Sequence, residues 1–232
     1  LNTTTRGSRK EFPAVAVIVV ESSKVTIYDG DDPRLPMWMV FNGGNDVRMV
    51  GSAPTAAVLR DGALWVSLNG WGVSEISFIK EVAWRHRNNV NSNYYGKFHG
   101  VIVDRNVDST FSKSDYIGAI VNGRCKDIAI TVLPNAPIDA DTGLPVPTIA
   151  VGTSTGLSII KDDGTVINRS TSFVNSGDPG GVHDISFDDN NNGYWYTNCH
   201  YPPTSTATSH AAVLGHSPSI STTGALASSD NQ

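Results

Sequence analysis

Pairs of short apolar runs joined by polar turns recur along this chain, and they restrict it to a β-rich fold. Residues 14–20 and 25–29 flank a polar turn, and residues 55–60 and 63–68 flank Asp61-Gly62. Asp-Gly readily takes the positive φ angles that a two-residue type I′ hairpin turn needs. Further turns are predicted at 154–156, 162–164 and 188–193, each between two apolar runs.

Helical periodicity is weak throughout the sequence. The best helix candidate is the segment 73–87, but its first half alternates apolar and polar residues as a strand does. The segment 134–147 contains four prolines, which exclude a helix and block ladder hydrogen bonds, so a long loop is expected there. We therefore predict an all-β fold with little helix.

Three hairpin units share one layout, with Trp65 and Trp195 at equivalent places in the second strand. Both indoles are expected in the core. Such repeats are typical of the blades of a β-propeller, which bury their faces against their neighbours. The prediction is one all-β domain over residues 1–232, a propeller-like array of antiparallel hairpins. The alternatives are a β-sandwich or a jelly roll.

Both ends of the sequence suggest a longer protein. The sequence begins with Leu1 instead of Met, so we expect a processed or excised piece of a longer chain. Residues 217–232 are small and polar, which favours a loose tail or a connector.

Composition argues against several classes of function. The chain has 232 residues, a formal net charge of −5 and only 17% charged residues, with no basic cluster larger than Arg85-His86-Arg87. Nucleic-acid binding needs many cations facing phosphate, so no nucleic-acid partner is expected. The longest aliphatic run has seven residues, at 14–20, whereas a membrane span needs about 20. Two cysteines, Cys125 and Cys199, fit no zinc or redox spacing, and buried free thiols are favoured over a disulfide.

The stretch 188–193, DDNNNG, resembles the first half of a calcium loop, with Asp188, Asn190 and Asn192 as candidate ligands. A calcium loop also needs a carboxylate at its twelfth position, which is Cys199 here. Asp, Asn and Gly are equally the residues that a hairpin turn selects. We predict a turn without a metal, and no cofactor is implied elsewhere.

Exposed aromatic residues beside amides are the best candidates for ligand binding. Aromatic rings stack on sugars, and amides hydrogen-bond to hydroxyl groups. Because loops carry recognition more often than strands do, we predict a glycan site in two loops. Its residues are Trp71, Tyr94, Tyr95, Asn69, Asn91 and Asn93. The competing interpretation is that these rings fill gaps in the core.

Two stretches, 7–41 and 126–166, resemble virion proteins of tailed bacteriophages, particularly marine ones. The resemblance implies a β-rich, propeller-like module of a tail or tail fibre, and it brings no defined site. It implies a non-enzymatic structural or adhesive protein of the extracellular particle. Other virion proteins, further copies of the chain and a host surface glycan are the expected partners. The alternatives are a carbohydrate-active enzyme on a propeller and a free lectin-like module.

Overall fold

The chain folds into four antiparallel sheets. The structure, a computed structural model, describes residues 12–88, 95–112, 119–170, 181–200 and 210–217, with the backbone alone at 196–200 and 210–217. Sheet I contains β1 (Ala16–Glu21), β2 (Lys24–Asp29) and β3 (Met37–Asn42). Sheet II contains β4 (Pro54–Arg60), β5 (Ala63–Leu68), β6 (Gly72–Ser77), β7 (Val82–His86), β8 (Gly96–Phe98) and β9 (Phe111–Ser112). Sheet III contains β10 (Cys125–Thr131), β11 (Thr148–Thr153), β12 (Gly156–Ile160) and β13 (Val166–Ser170). Sheet IV contains β14 (Val182–Phe187), β15 (Gly193–His200) and β16 (His210–Ser217).

Each predicted hairpin is confirmed, and strand order within every sheet follows chain order. At the β4–β5 turn, Asp61 has a φ of 48° and Gly62 a φ of 73°, as a type I′ turn requires. The helix candidate at 73–87 forms β6 and β7 instead. In the described ranges the helical content is one 3₁₀ turn, Ile102–Asp104, so the all-β prediction is confirmed.

The four sheets stack face to face in chain order, so that sheets II and III are covered on both sides. One face of sheet II packs on sheet I through residues that include Leu64, Val66 and Ile76. Its other face, which carries Trp65 and Val73, packs on sheet III. Successive side chains of a strand point to opposite faces, which explains why β5 is buried along nearly all of its length.

Sheet III meets sheet IV through Ala150, Leu157 and Ile159 on one side and Val182 and Ile185 on the other. Trp65 is 3% exposed and takes the predicted core position, whereas Trp195 is half-buried and packs against the edge of this interface. The first strands of the sheets lie beside one another, β1 by β4, β4 by β10 and β10 by β14.

The two cysteines and the C-terminal segment are only partly described. Cys125 is a buried free thiol, and burial raises its pKa to about 12. The side chain of Cys199 and residues 218–232, nearly all of the predicted tail, lie outside the described residues.

Candidate functional site

A pocket of about 240 Å³ lies between sheets II and III, and its floor is a row of side chains on sheet II. Trp65 on β5 stands directly opposite Glu75 on β6, and Glu75 stands opposite Trp84 on β7. Directly opposite residues in adjacent strands present their side chains on the same face. The pocket therefore has one carboxylate between two indoles.

Glu75 is fixed by a buried histidine. The Nε2 atom of His86 lies 3.0 Å from Oε2 of Glu75, and His86 is 3% exposed. The imidazole stacks on the indole of Trp65 with 5.6 Å between ring centroids and 16° between ring planes. When Glu75 is ionised, Nε2 donates the hydrogen bond. The carboxylate is thereby held in place before any ligand arrives.

The proline-rich loop at 134–147 forms one side of the pocket, and Lys80 holds it there. The Nζ atom of Lys80 lies 2.6 Å from Oδ2 of Asp139 and 3.3 Å from Oδ2 of Asp141. The hydrogen bond from Lys80 holds the pKa of Asp139 below its ordinary value, and the same bond raises the pKa of Lys80. Asp139 therefore lines the pocket as a carboxylate paired with a cation.

Apolar groups complete the wall that faces Trp84. They come from the loop and from sheet III: Leu144, Pro145, Val146, Pro147, Ile149 and Ile160. Lys161 also lines the pocket, and its Nζ donates to Asp163 at 3.0 Å. An apolar cleft with a few oriented polar groups is the usual form of a small-molecule site.

The predicted loop site is only partly described, because Tyr94, Asn91 and Asn93 lie outside the described residues. Tyr95 is 4% exposed, which leaves almost no ring surface for a sugar. Trp71 is half-buried against the core, and the Arg87 guanidinium lies 4.5 Å from the centre of its ring. Asn69 is exposed at the end of β5. Of the predicted glycan residues, Trp71 and Asn69 remain accessible in the described part, and the pocket uses neither.

The sequence reading did not identify Trp84, Glu75 or Lys80 as site residues. They fall in and between β6 and β7, within the segment that was the best helix candidate. On a helix, Glu75 and Trp84 would not be directly opposite each other. Only the β6–β7 register brings them together, and the imperfect alternation within 73–79 was the available signal.

The DDNNNG stretch forms the turn between β14 and β15, as predicted. The Asp188 carboxylate accepts hydrogen bonds from the backbone N–H groups of Asn190 and Asn192, at 2.9 Å and 2.8 Å. It also accepts from Nδ2 of Asn192 at 2.8 Å and from the Tyr194 hydroxyl at 3.2 Å. These bonds lower the pKa of Asp188, and the bond from the Asn192 side chain has the largest effect. Both candidate asparagines are thus hydrogen-bonded to Asp188, and Asn191 takes a positive φ of 61°.

We expect millimolar calcium to leave the melting temperature unchanged, because the Asp188 oxygens already accept bonds within the turn. Asp188→Ala should lower the melting temperature with or without calcium, whereas the exposed neighbour Asp189→Ala should not. Thermal unfolding with calcium and with EDTA measures this. A calcium-induced rise that Asp188→Ala abolishes would contradict the turn interpretation, because a ligand specific for the native state stabilises it.

A second pair of carboxyl groups joins the first strands of sheets III and IV. Oδ2 of Asp127 on β10 accepts from the backbone N–H of Ile185 at 2.8 Å, and the Asp127 side chain is hydrogen-bonded to Asp184 on β14. Burial, with a contribution from Asp184, raises the pKa of Asp127 above its ordinary 3.8. Asp127 therefore holds its proton more tightly than an ordinary aspartate does.

Asp127→Asn is expected to raise the melting temperature near neutral pH and to have little effect near pH 4. The raised pKa means that the folded protein binds this proton more tightly. The contribution of Asp127 to stability is therefore full below 3.8 and is lost as the pH rises through the raised value. Thermal unfolding of both proteins across this range measures the effect, and Asp184→Asn should act in the same direction. A lower melting temperature of Asp127→Asn at neutral pH would show that the negative charge is itself stabilising.

Fold and pocket together define an all-β protein of stacked antiparallel sheets, with a cleft between two of them. Among the described side chains, no three His, Cys, Asp or Glu residues come together as a metal site. Within the described ranges, no helix has the length and hydropathy that a membrane span needs.

Comparison with known proteins does not assign this chain to a family. No family model matches the sequence, and no curated protein matches it. Dihydro-heme d1 dehydrogenase NirN is similar over 88% of this chain and 37% of its own, with 11% identity and a TM-score of 0.39. The designed protein Ika8 is similar over 81% and 41%, with 10% identity and a TM-score of 0.35. The extracellular domain of BT3049 from B. thetaiotaomicron is similar over 79% and 26%, with 14% identity and a TM-score of 0.35. This chain thus spans less than half of each, and these TM-scores support no conclusion about fold or function.

Proposed function

We propose that this chain is a non-enzymatic adhesive component of a bacteriophage particle, associated with its tail, and that it binds a host surface glycan in the Trp84 pocket. The particle is inferred from the resemblance of residues 7–41 and 126–166 to tailed-phage virion proteins. The observation that carries the binding function is the row Trp65, Glu75, Trp84 beneath an apolar wall. A half-buried indole beside a fixed carboxylate offers a sugar both a stacking surface and hydrogen-bond acceptors.

The size of the pocket fits a small part of a glycan. Its 240 Å³ is below the roughly 300–1,000 Å³ of sites for drug-sized ligands. One sugar unit at the end of a surface polysaccharide is therefore the proposed occupant. Because four acidic and three basic residues line the pocket, a neutral or weakly charged sugar suits it better than a polyanion.

We also propose that the four sheets are successive blades of a propeller. Each blade of a propeller runs outward from an inner first strand, and neighbouring blades pack face to face. The adjacency of β1, β4, β10 and β14 and the three inter-sheet cores support this arrangement. A sandwich would pair two sheets around one core instead.

Binding is favoured over hydrolysis by the state of the carboxylates in the pocket. A glycosidase needs one carboxylic acid of raised pKa, about 5–10 Å from a second carboxyl group. Asp139 has a lowered pKa beside Lys80, and Glu75 is paired with His86. The groups that line the pocket are thus arranged to accept hydrogen bonds.

One observation favours the alternative of a carbohydrate-active enzyme. Asp127 has a raised pKa and lies beside Asp184, so it resembles a candidate acid. The two groups are directly hydrogen-bonded, however, which is closer than the separation that glycosidases use. An assay for reducing ends released from host polysaccharide, with Asp127→Asn as the control, would detect such an enzyme.

The proposal is tested by binding to host surface oligosaccharides on an array and by adsorption of the labelled protein to host cells. We expect Trp84→Ala to weaken both by roughly two- to twelvefold with little change in melting temperature, since an aromatic stacking contact is worth about 0.5–1.5 kcal/mol. Trp71→Ala is the matched control. Trp71 is also a half-buried tryptophan, but it lies in the turn between β5 and β6 and outside the pocket.

Three results would count against the proposal. If Trp84→Ala binds as well as the wild type, the pocket is not the glycan site. If only Trp71→Ala loses binding, the glycan site lies in the loop of Trp71 that the sequence predicted. If antibodies against this chain do not label phage tails in electron micrographs, the alternative of a free lectin-like module is favoured.

A further inference from the structure

Every lysine and arginine that lines the pocket already pairs with an aspartate. The pairs, with the distance between nitrogen and oxygen, are Arg60–Asp61 at 3.5 Å, Lys80–Asp139 at 2.6 Å and Lys161–Asp163 at 3.0 Å. An anionic group of a ligand would have to compete with these aspartates for the same nitrogen atoms. The pocket therefore offers little to a negatively charged group.

The acidic side chains of the pocket are not all paired in this way. Among the described side chains, Glu75 and Asp162 line the pocket without a lysine or arginine partner. Glu75 lies on β6 of sheet II, and Asp162 lies in the turn between β12 and β13 of sheet III. Negative charge thus stands on both sides of the cleft, and the electrostatic complement of such a cleft is a cation.

Glu75 keeps one carboxylate oxygen for a ligand. Its Oε2 atom is occupied by Nε2 of His86 at 3.0 Å, whereas its Oε1 atom accepts no hydrogen bond from a described residue. The Glu75 side chain is 19% exposed, so most of its hydration has been removed. Hydrogen bonds between charged groups are stronger than neutral ones, and a low local dielectric strengthens them further. An ammonium group is therefore the best donor for Oε1.

The two indoles beside Glu75 favour the same kind of ligand. Tryptophan attracts cations through the face of its ring more strongly than any other side chain does. Trp84 is half-buried and keeps ring surface accessible in the pocket. Trp65 is 3% exposed and stacked on His86, so it contributes mainly by excluding water. A carboxylate next to an accessible indole thus provides two separate attractions for one positively charged nitrogen.

We infer that the sugar bound in the pocket carries a free, positively charged amino group, which donates to Oε1 of Glu75 beside the ring of Trp84. This inference rests on the proposed glycan function and names the class of sugar. An N-acetylated amino sugar has no charge at this nitrogen, so it loses both the charge-assisted hydrogen bond and the attraction to the ring. A sugar with a hydroxyl group at the same position loses them as well.

The affinity of the full chain for three matched oligosaccharides tests the inference. They differ only in the terminal sugar, which is glucosamine, N-acetylglucosamine or glucose. Isothermal titration calorimetry at neutral pH measures the dissociation constants. We expect the wild type to bind the glucosamine end at least about tenfold more tightly than either neutral end.

Glu75→Gln should remove this preference while binding of the glucose end changes little, because glutamine keeps the size of the side chain and removes its charge. The matched control is Glu81→Gln, the same substitution at an exposed glutamate of the β6–β7 turn, outside the pocket. Glu81→Gln should keep the wild-type preference. Thermal unfolding checks that Glu75→Gln is folded. If it is not, the three affinities of the wild type decide the question.

Two results would overturn the inference and leave the glycan proposal intact. One is a wild-type protein that binds the glucosamine end no more tightly than the neutral ends, including the case in which only other sugars on the array bind. The other is a folded Glu75→Gln variant that retains the preference. If no sugar of the set or of the array binds, the proposed glycan function is itself wrong, and the inference is wrong with it.

Discussion

Replacing Arg85 with Met is expected to destabilise the protein by about 3–5 kcal/mol, because it leaves several buried carbonyl groups unpaired. Arg85 is 1% exposed on the face of sheet II that packs towards sheet I. Its Nη2 donates to the carbonyl of Arg48 at 2.7 Å and to that of Met49 at 3.2 Å. Its Nη1 donates to the carbonyl of Asp46. Its guanidinium lies 4.5 Å from the ring centre of Phe111.

One guanidinium thus binds the β3–β4 connection to the middle of sheet II. Methionine keeps much of the volume but supplies no donor, and the three carbonyls would remain away from water. Since a domain is stable by about 5–15 kcal/mol, the loss is a large part of the total. Chemical denaturation measures it as a lower midpoint.

Arg34→Met is the control for the loss of one positive charge. Arg34 is paired with Asp32 at 2.8 Å, but its side chain is 88% exposed. Exposed pairs contribute little, so this variant should unfold as the wild type does. If Arg85→Met retained the wild-type midpoint, the carbonyl network would have no energetic importance.

Gly72→Ala is expected to cost about 3 kcal/mol or more, through strain and a backbone collision together. Gly72 begins β6 with a φ of 82°, which only glycine adopts freely. A Cβ atom there would lie 1.9 Å from the carbonyl oxygen of His86. That oxygen belongs to backbone and cannot rotate away, so β6 and β7 must separate at this end.

The separation should also reach the pocket, because His86 holds Glu75 and stacks on Trp65. We therefore expect Gly72→Ala to weaken the proposed glycan binding as well as stability.

Gly70→Ala isolates the collision from the strain. Gly70 has a φ of 101°, and an added Cβ would meet nothing within 4 Å. Its cost should be the strain alone, about 1–2 kcal/mol. Thermal unfolding of the two variants gives the difference, and equal melting temperatures would show that the His86 carbonyl moves aside readily.

The hairpins could be predicted from sequence because their signals are local. Asp61-Gly62 specifies its turn through the φ preferences of two adjacent residues, and the same holds for Asp188 to Gly193. The uninterrupted apolar run of β1 and the largely apolar run of β12 are likewise local signals of single strands. The segment 73–87 was ambiguous, because alternation and helix-compatible residues overlap there, and pairing with neighbouring strands decided it.

The candidate site could not be predicted from local sequence signals. Glu75, Trp84 and Lys80 carry no motif, and residues 139–147 approach them only because sheet III packs on sheet II. The burial of Tyr95 could not be predicted either, since an aromatic residue in a loop with amide neighbours fits both a surface and a core position.

The sequence by itself determined where the turns fall and most of the strands that they join, because backbone preferences and turn chemistry act over a few residues. Only the tertiary structure decided which faces meet. It placed Arg85 in the core, closed the pocket beneath 134–147 and left the valine face of β1 exposed. The physical reason is that hydrophobic burial is non-directional, so an apolar face is encoded locally while its partner is set by how the sheets stack.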